Sequence, residues 1–373
     1  MTTITRVEYA RLEGKRARHA GRNARLGEHG QRVAPSIVRI TCDDGAGGFG
    51  WARISEEQGK ALIGSDVDEA RGEAGIAKAF RHVEFPLLDL LAKRERVPVH
   101  ALVGGTRDSL PQVPVYDTSL YFDDLHLADD AEAAALMASE AAEGMARGHR
   151  AFKIKVGRGA MHMDLEAGTR RDVAVIRAVR EVAGPDARVM VDANNGYNLS
   201  LTKRVLAETA GCSLYWIEEP FHEDAAFYRD LKAWMAAEGI RTKVADGEGD
   251  ASPRLLDWAR DGLVDVVQYD IHHPGFSAWL ELGPQFADWG VGAAPHCYGD
   301  PYGIYASCHI GPLLPTFEMV EWDQATVPGL DASAYAVKDG WVTVPDLPGS
   351  GLGLDEEIYA KAVRDSGWDV TVS

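Results

Sequence analysis

Four short stretches decide the architecture: AFKIKVG (151–157), RVMVDANN (188–195), LYWIEEP (214–220) and TKVADGE (242–248). Each is an apolar run of strand length that delivers a charged side chain, and helical patterns such as TRRDVAVIRAVREVAG (169–184), closing on Gly184, lie between them. That alternation marks a parallel βα protein. Working outward, VPVYDTSL (113–120) precedes these runs, and VDVVQYD (264–270), GVGAAPH (290–296) and FEMVE (317–321) follow. The helix DAEAAALMASEAAEGMARG takes Asp129 or Asp130 as its N-cap. Eight strands with intervening helices predict a (β/α)8 barrel or a close variant.

The flanks read differently. ITRVEYARLEG (4–14) and SIVRITCDDGAGGFGWARI (36–54) are strand-like, the second a hairpin turning at Asp44-Gly45. Helical patterns follow through SEEQGKALIGSDVDEARGEAGIAKAF (55–80) and EFPLLDLLAKRE (84–95). This predicts an α+β domain over 1–112, a barrel over 113–325, and a segment 326–373 whose GWVTVPDLPGSGLGLDEEIYAKAV folds back onto the first domain. The chain has 373 residues, 46% of them hydrophobic, enough for a sizeable core. Its formal charge of −18 would repel nucleic acid and anionic membranes, and neither is expected as a partner. Cys42, Cys212, Cys297 and Cys308 are scattered without a CxxC pair, which fits reduced thiols in the cytoplasm. The N-terminus lacks the apolar core of a signal peptide, and the uncharged stretch 301–317 contains three prolines, so no membrane span is expected.

Strand parity tests for a site, because catalytic groups sit at the C-terminal ends of barrel strands. With Phe152, Ile154 and Val156 facing the helices, Lys153 and Lys155 face inward. Asp192 and Asn194 share the inner parity of their strand, as do Trp216 and Glu218, Asp246 and Glu248, Gln268 and Asp270, Ala294 and His296, and Met319 and Glu321. Asp192, Glu218 and Glu248 end three consecutive strands and converge at one mouth. Three anions there demand a cation, and an all-oxygen set favours Mg2+ over Zn2+.

These motifs, FKIKVG, VMVDANN, WIEEP, DGEGD, QYD, APH and VEWD in this order, with the GAGGFGWA hairpin and the VPDLPGSGLG tail, resemble the enolase superfamily and within it the mandelate racemase subgroup. The resemblance covers roughly residues 36–355. It implies a modified TIM barrel, (β/α)7β, an N-terminal α+β capping domain completed by the C-terminal tail, and Mg2+-dependent removal of the proton α to a carboxylate through an enediolate. It further implies that Asp192, Glu218 and Glu248 hold the metal, that Lys155 and His296 act on opposite faces of the substrate carbon, that Asp270 orients His296, and that Glu321 donates to the substrate carboxylate. Lys153 is expected to lower the pKa of Lys155 by like-charge repulsion. Asn194, Gln268, His272 and His273 are candidate substrate contacts. The lysine that the muconate lactonizing subgroup places after the sixth strand is absent, with His272-His273 in that region, which argues against cycloisomerase or dipeptide epimerase chemistry.

The segment GKRARHAGRNAR (14–25) is strongly basic in an acidic chain and lies where such a cap presents a mobile loop. Arg18, Arg22 and Arg25 share a face if the segment is helical, and as a lid they would suit a polyhydroxylated or dianionic acid. The expected function is therefore dehydration of an acid sugar to a 2-keto-3-deoxy acid. The alternative is racemisation or epimerisation of a 2-hydroxy acid by the same pair; a non-catalytic barrel or a metal-dependent hydrolase is remote. The substrate is a small carboxylate, and a homo-oligomer is expected.

Overall fold

The computed structural model describes residues 2–107 and 109–372. The chain opens with β1 (Ile4–Arg11), β2 (Gly14–Ala20), β3 (Gly30–Val33), β4 (Ser36–Cys42) and β5 (Gly47–Trp51). Strands β1, β4 and β5 pair antiparallel, and the tail strand Trp368–Thr371 adds to the outer edge of β1. Helices α1 (Glu56–Leu62), α2 (Glu84–Glu95) and α3 (Val99–Leu102) follow. Ser55 caps α1 through a capping box with Gln58. The expected helical pattern over 55–80 is realised only as α1 and two short 3-10 turns, at Val67–Ala70 and Lys78–Val83. The turn at Gly64-Ser65 ends the periodicity, because the backbone there bonds back to β1. Gly48 of β5 faces α2 so closely that a Cβ would lie 2.4 Å from the Leu90 nitrogen; the glycine permits that approach.

The barrel strands are β6 (Gln112–Leu120), β7 (Ala151–Lys155), β8 (Arg188–Asp192), β9 (Trp216–Glu218), β10 (Lys243–Asp246), β11 (Val266–Val267), β12 (Gly292–Ala293) and β13 (Val320–Trp322). They pair in parallel and in order, and β13 returns to β6. The ring closes between Ala293 and Phe317, just ahead of β13. Seven helices cover it: α4 (Asp130–Ala146), α5 (Leu165–Ala183), α6 (Leu199–Glu208), α7 (Ala225–Ala237), α8 (Leu255–Arg260), α9 (Phe276–Trp289) and α10 (Pro301–Ile310). Among the described residues no helix after β13 covers the barrel, so the barrel is (β/α)7β. The outward residues Phe152, Ile154, Val189, Val191 and Ile217 join the large core beneath the helices. Tyr116, Ala151, Met190, Trp216, Ala245, Val266, Ala294 and Met319, one from each strand or its immediate end, form a separate apolar layer that floors the interior. The parity argument thus holds on most strands.

It fails on β10. Ala245 faces inward, so Asp246 faces out and accepts a hydrogen bond from Tyr228 of α7. Gly247, at φ +128°, then breaks the pleat and turns Glu248 back to the mouth.

After β13 the chain returns to the cap. Ala325–Thr326 pair with β2, Trp341–Thr343 pair antiparallel with the start of β6, and the helix Glu356–Ser366 lies on β1. No helix among the described residues is long and apolar enough to cross a membrane.

Candidate active site

Above the apolar floor the interior becomes ionic. Lys153 Nζ lies 2.6 Å from Glu218, 3.1 Å from Glu321 and 3.6 Å from Asp192, all of them buried. Lys155 pairs with Asp192. Oxygen atoms of Asp192, Glu218 and Glu248 lie within 4.8 Å of one another. Glu248 Oε2 is buried without a hydrogen bond, although His296 Nε2 stands 3.1 Å away. Three converging carboxylates with a carboxylate oxygen left over fit a hard divalent cation with oxygen ligands.

Charge and burial set the proton inventory. Burial, then the Asp192 charge, push Glu218 up to about 8 against the pull of Lys153. Burial works to raise Asp192, but Lys155 and Lys153 bring it below the ordinary carboxylate range. Burial lowers Lys155 and Lys153 repels it, as expected from the sequence; Asp192 outweighs both and the net shift is upward. The expected lowering of Lys155 is therefore reversed. His296 Nδ1 bonds to Asp270 Oδ1 at 2.5 Å. Burial disfavours its charge, but Glu248, Glu321 and Asp270 raise it to about 10, so it is an imidazolium. Glu321 is held well below its ordinary value despite burial, by Lys153 and His296. It accepts from Thr118 Oγ1 and from the backbone N–H groups of Cys297 and Tyr298. An ionised acceptor cannot donate, so the donor role expected of Glu321 does not hold in this form.

The remaining expected contacts separate. Asn194 Nδ2 donates to Glu219 and Glu248, and Gln268 Nε2 donates to Glu218 Oε2 at 2.9 Å. Both amides hold the carboxylates of the acidic cluster instead of facing substrate with their N–H groups. His272 is packed 4.3 Å from the Trp51 ring between cap and barrel, and burial pulls it down to about 3. His273 is exposed, its backbone N–H closing a turn onto Asp270. His272 nevertheless sits close enough to Asp270 and His296 to feel their charges, and its Nε2 is buried without a hydrogen bond among the described residues. The basic segment is not helical: it forms β2 and the loop to β3. Arg18 turns toward α4, bonding Ser119 and pairing with Glu140 and Glu143, while exposed Arg22 pairs with Glu28 of its own loop. Arg25 alone of the three points to the mouth, 3.9 Å from Glu219.

Sequence reasoning missed Arg16, whose guanidinium grips Asp323 at 2.8 Å and anchors the hairpin to the end of β13. It also missed His29, Tyr121 and Tyr298, which line the side of the mouth next to Lys155. The alternation Lys15-Arg16-Ala17-Arg18 signalled a strand with Arg16 and Arg18 on one face. No periodic signal marks a histidine in an irregular loop.

A (β/α)7β barrel under an α+β cap, with three carboxylates, two lysines and a histidine–aspartate pair at its mouth, defines a class of carboxylate-processing enzyme. Residues 136–358 match the model of the enolase C-terminal domain-like family, and the chain belongs to that family, among the mandelate racemase/muconate lactonizing enzyme-like members of the enolase superfamily. It is similar to a galacturonate dehydratase from Geobacillus sp., solved with D-galacturonate and 5-keto-4-deoxy-D-galacturonate: 48% identity over 99% of this chain and 98% of that one, TM-score 0.95. A mutant of the Geobacillus galacturonate dehydratase complexed with Mg is 47% identical over 100% of this chain and 97% of that one, with a TM-score of 0.97. Among curated relatives, the D-galactarolactone cycloisomerase of Agrobacterium fabrum is 29% identical over 367 residues, covering 87% of this chain and 90% of that one.

Proposed function

We propose that this chain is an Mg2+-dependent acid-sugar dehydratase, and that its substrate is a hexuronate of the D-galacturonate type. The observation that carries the reading is the pairing of Lys155 with Asp192 and of His296 with Asp270 around the cluster Asp192, Glu218 and Glu248. Likeness to a galacturonate dehydratase over nearly the whole chain supports the substrate class. The histidines where a cycloisomerase-type lysine would stand favour dehydration over ring closure.

Asp192, Glu218 and Glu248 would hold the ion, oriented by Asn194 and Gln268. Bound there, Mg2+ supplies positive charge beside the substrate carboxylate and so favours loss of the neighbouring proton. Lys155 takes that proton from the α-carbon. Asp192, Glu248 and Glu218, which raise Lys155, are the same carboxylates that would hold the ion; with their charge so engaged, burial and Lys153 would be left, and both favour the neutral, basic form of Lys155. His296, already an imidazolium, gives its proton to the β-hydroxyl as the carbon–oxygen bond breaks. Water leaves, and the enol becomes a keto acid. Numbered from the aldehyde end of a hexuronate, the proton leaves C5 and the hydroxyl leaves C4, giving a 5-keto-4-deoxy product. Counted from the carboxylate, the same change is the 2-keto-3-deoxy outcome. Lys153 keeps Glu218 and Glu321 in place.

Incubating the protein with D-galacturonate and Mg2+ should form a keto acid, detected as its semicarbazone, and EDTA should abolish it. Inversion at the α-carbon without keto acid, or no turnover of any hexuronate, would overturn this reading.

A further inference from the structure

The β2–β3 hairpin carries into the mouth a side chain that the proposed reaction does not use. His29 packs edge-on against two phenols, with ring centroids 4.8 Å from Tyr121 and 5.5 Å from Tyr298, and the two tyrosines stack on each other at 5.1 Å. This wall borders the reacting groups. Lys155 Nζ lies 5.3 Å from the Tyr121 ring centroid, and the Tyr298 N–H donates to Glu321. The placement is fixed, because Arg16 ties the hairpin to Asp323 and also covers the Tyr298 ring at 4.5 Å.

Two atoms of the wall stand out. His29 Nε2 is shut off from solvent and has no hydrogen-bond partner among the described residues. The Tyr298 hydroxyl is equally buried, with no bond of ordinary geometry although the Tyr121 phenol lies near it. Buried polar groups are rarely left unpaired, and two together beside a reaction centre call for a partner that arrives with the ligand. Burial, reinforced by Lys155 and Arg16, holds His29 down at about 4, so its ring is neutral and offers one donor and one acceptor.

We infer that His29 and Tyr298 form a hydroxyl-reading subsite that hydrogen-bonds the sugar acid beyond its two reacting carbons, on the Lys155 side. The inference rests on the sugar-acid reading above. A chain of CHOH units matches this wall on both counts: its O–H groups meet the unpaired nitrogen and oxygen, and its C–H edges lie against the aromatic faces. A phenyl substituent would leave both polar atoms unpaired, at a cost in affinity. The subsite therefore selects polyhydroxylated acids over aromatic or short ones.

The test compares the wild-type protein with His29→Phe and Tyr298→Phe, each of which keeps an aromatic body and removes the polar atom. D-Galacturonate is the substrate, and L-glycerate, which has only the reacting carbons and the carboxylate with the same configuration at the α-carbon, is a competitive inhibitor. Each variant should lose at least tenfold in kcat/KM for D-galacturonate, chiefly through KM. The inhibition constant of L-glycerate should change less than twofold, and so should Mg2+ affinity measured without substrate. Equal losses for both ligands would mean that the residues only shape the hairpin, and unchanged kcat/KM would mean that they touch nothing; either result overturns the subsite. Absence of D-galacturonate turnover in the wild type would instead bring down the dehydratase reading itself.

Discussion

Mg2+ binding should be strongly pH-dependent, and Glu218 sets the slope. Its carboxyl is raised to about 8 by burial and by Asp192, so at neutral pH it carries a proton that the ion must displace. Well below that value each pH unit weakens binding about tenfold, or ~1.36 kcal/mol; between pH 8 and pH 6 the loss is about 50-fold, about 2.3 kcal/mol. His296, raised to about 10, is protonated throughout this window before the ion binds. Folding carries the opposite sign. A carboxyl raised in the folded state binds its proton more tightly there than in the unfolded chain. Its contribution to metal-free stability is therefore complete below the ordinary value of 4.5 and is lost as pH rises through about 8. Mg2+ should consequently add most stability at the alkaline end. Titration calorimetry at pH 6, 7 and 8, in buffers of different ionisation enthalpy, should show net proton release approaching one per ion at pH 7. An affinity that is flat from pH 6 to pH 8, or net proton uptake, would refute the reasoning.

Replacing His296 by Asn removes the proton donor for the leaving hydroxyl, and dehydration should fall by roughly 10²–10⁴-fold. Exchange of the α-proton in D2O, followed by NMR, should survive through Lys155; full turnover would assign the acid to another group. Gly48→Ala would place a Cβ 2.4 Å from the Leu90 nitrogen and 2.6 Å from its Cα, forcing α2 away from β5. The expected loss is about 1–3 kcal/mol, read as a lower urea midpoint, and an unchanged midpoint would contradict the packing. Buried His309 is pulled down to about 3 while its ring contacts His100, Tyr335 and the Ser350 carbonyl. A depressed histidine contributes stability above its ordinary 6.5 that is lost as pH falls toward 3, at up to about 1.4 kcal/mol per unit. His309→Gln should therefore flatten the stability change between pH 7 and pH 5, and equal slopes would exclude His309 as the cause.

Period-two patterning made the barrel and its acidic mouth readable, because helix-covered strands must put Phe152, Ile154 and Val191 outside and so commit Lys153, Lys155 and Asp192 to the interior. The same logic failed where the strand was not regular. Nothing in the letters ADGE shows that Gly247 takes a positive φ and sends Asp246 and Glu248 to opposite sides. The segment 14–25 was legible as basic but not as a hairpin, since the charge of Arg16 suggests solvent until its buried partner Asp323, far along the chain, is known. His29 and Tyr298 were invisible for a related reason. Their juxtaposition depends on how the hairpin docks on the loop after β12, a contact with no local signature. Protonation states were legible least of all, because the value of Lys155 is decided by which of Asp192 and Lys153 wins, and that turns on distances.

The pairing of β1 with the strand Trp368–Thr371 also sets a schedule for biosynthesis. Residues 4–11 leave the ribosome long before residues 368–371, and their outer edge has no partner until the latter have been made, roughly 20–70 s later at 5–20 residues per second. The helix Glu356–Ser366 is equally late, and its Tyr359 hydroxyl bonds to the carbonyls of Glu8 and Ile37. Throughout that interval the nascent chain presents an open sheet edge, the kind of surface that recruits other strands. Translation speed and chaperone supply should therefore govern the yield of active protein more than any step of barrel closure, whose strands follow one another in sequence.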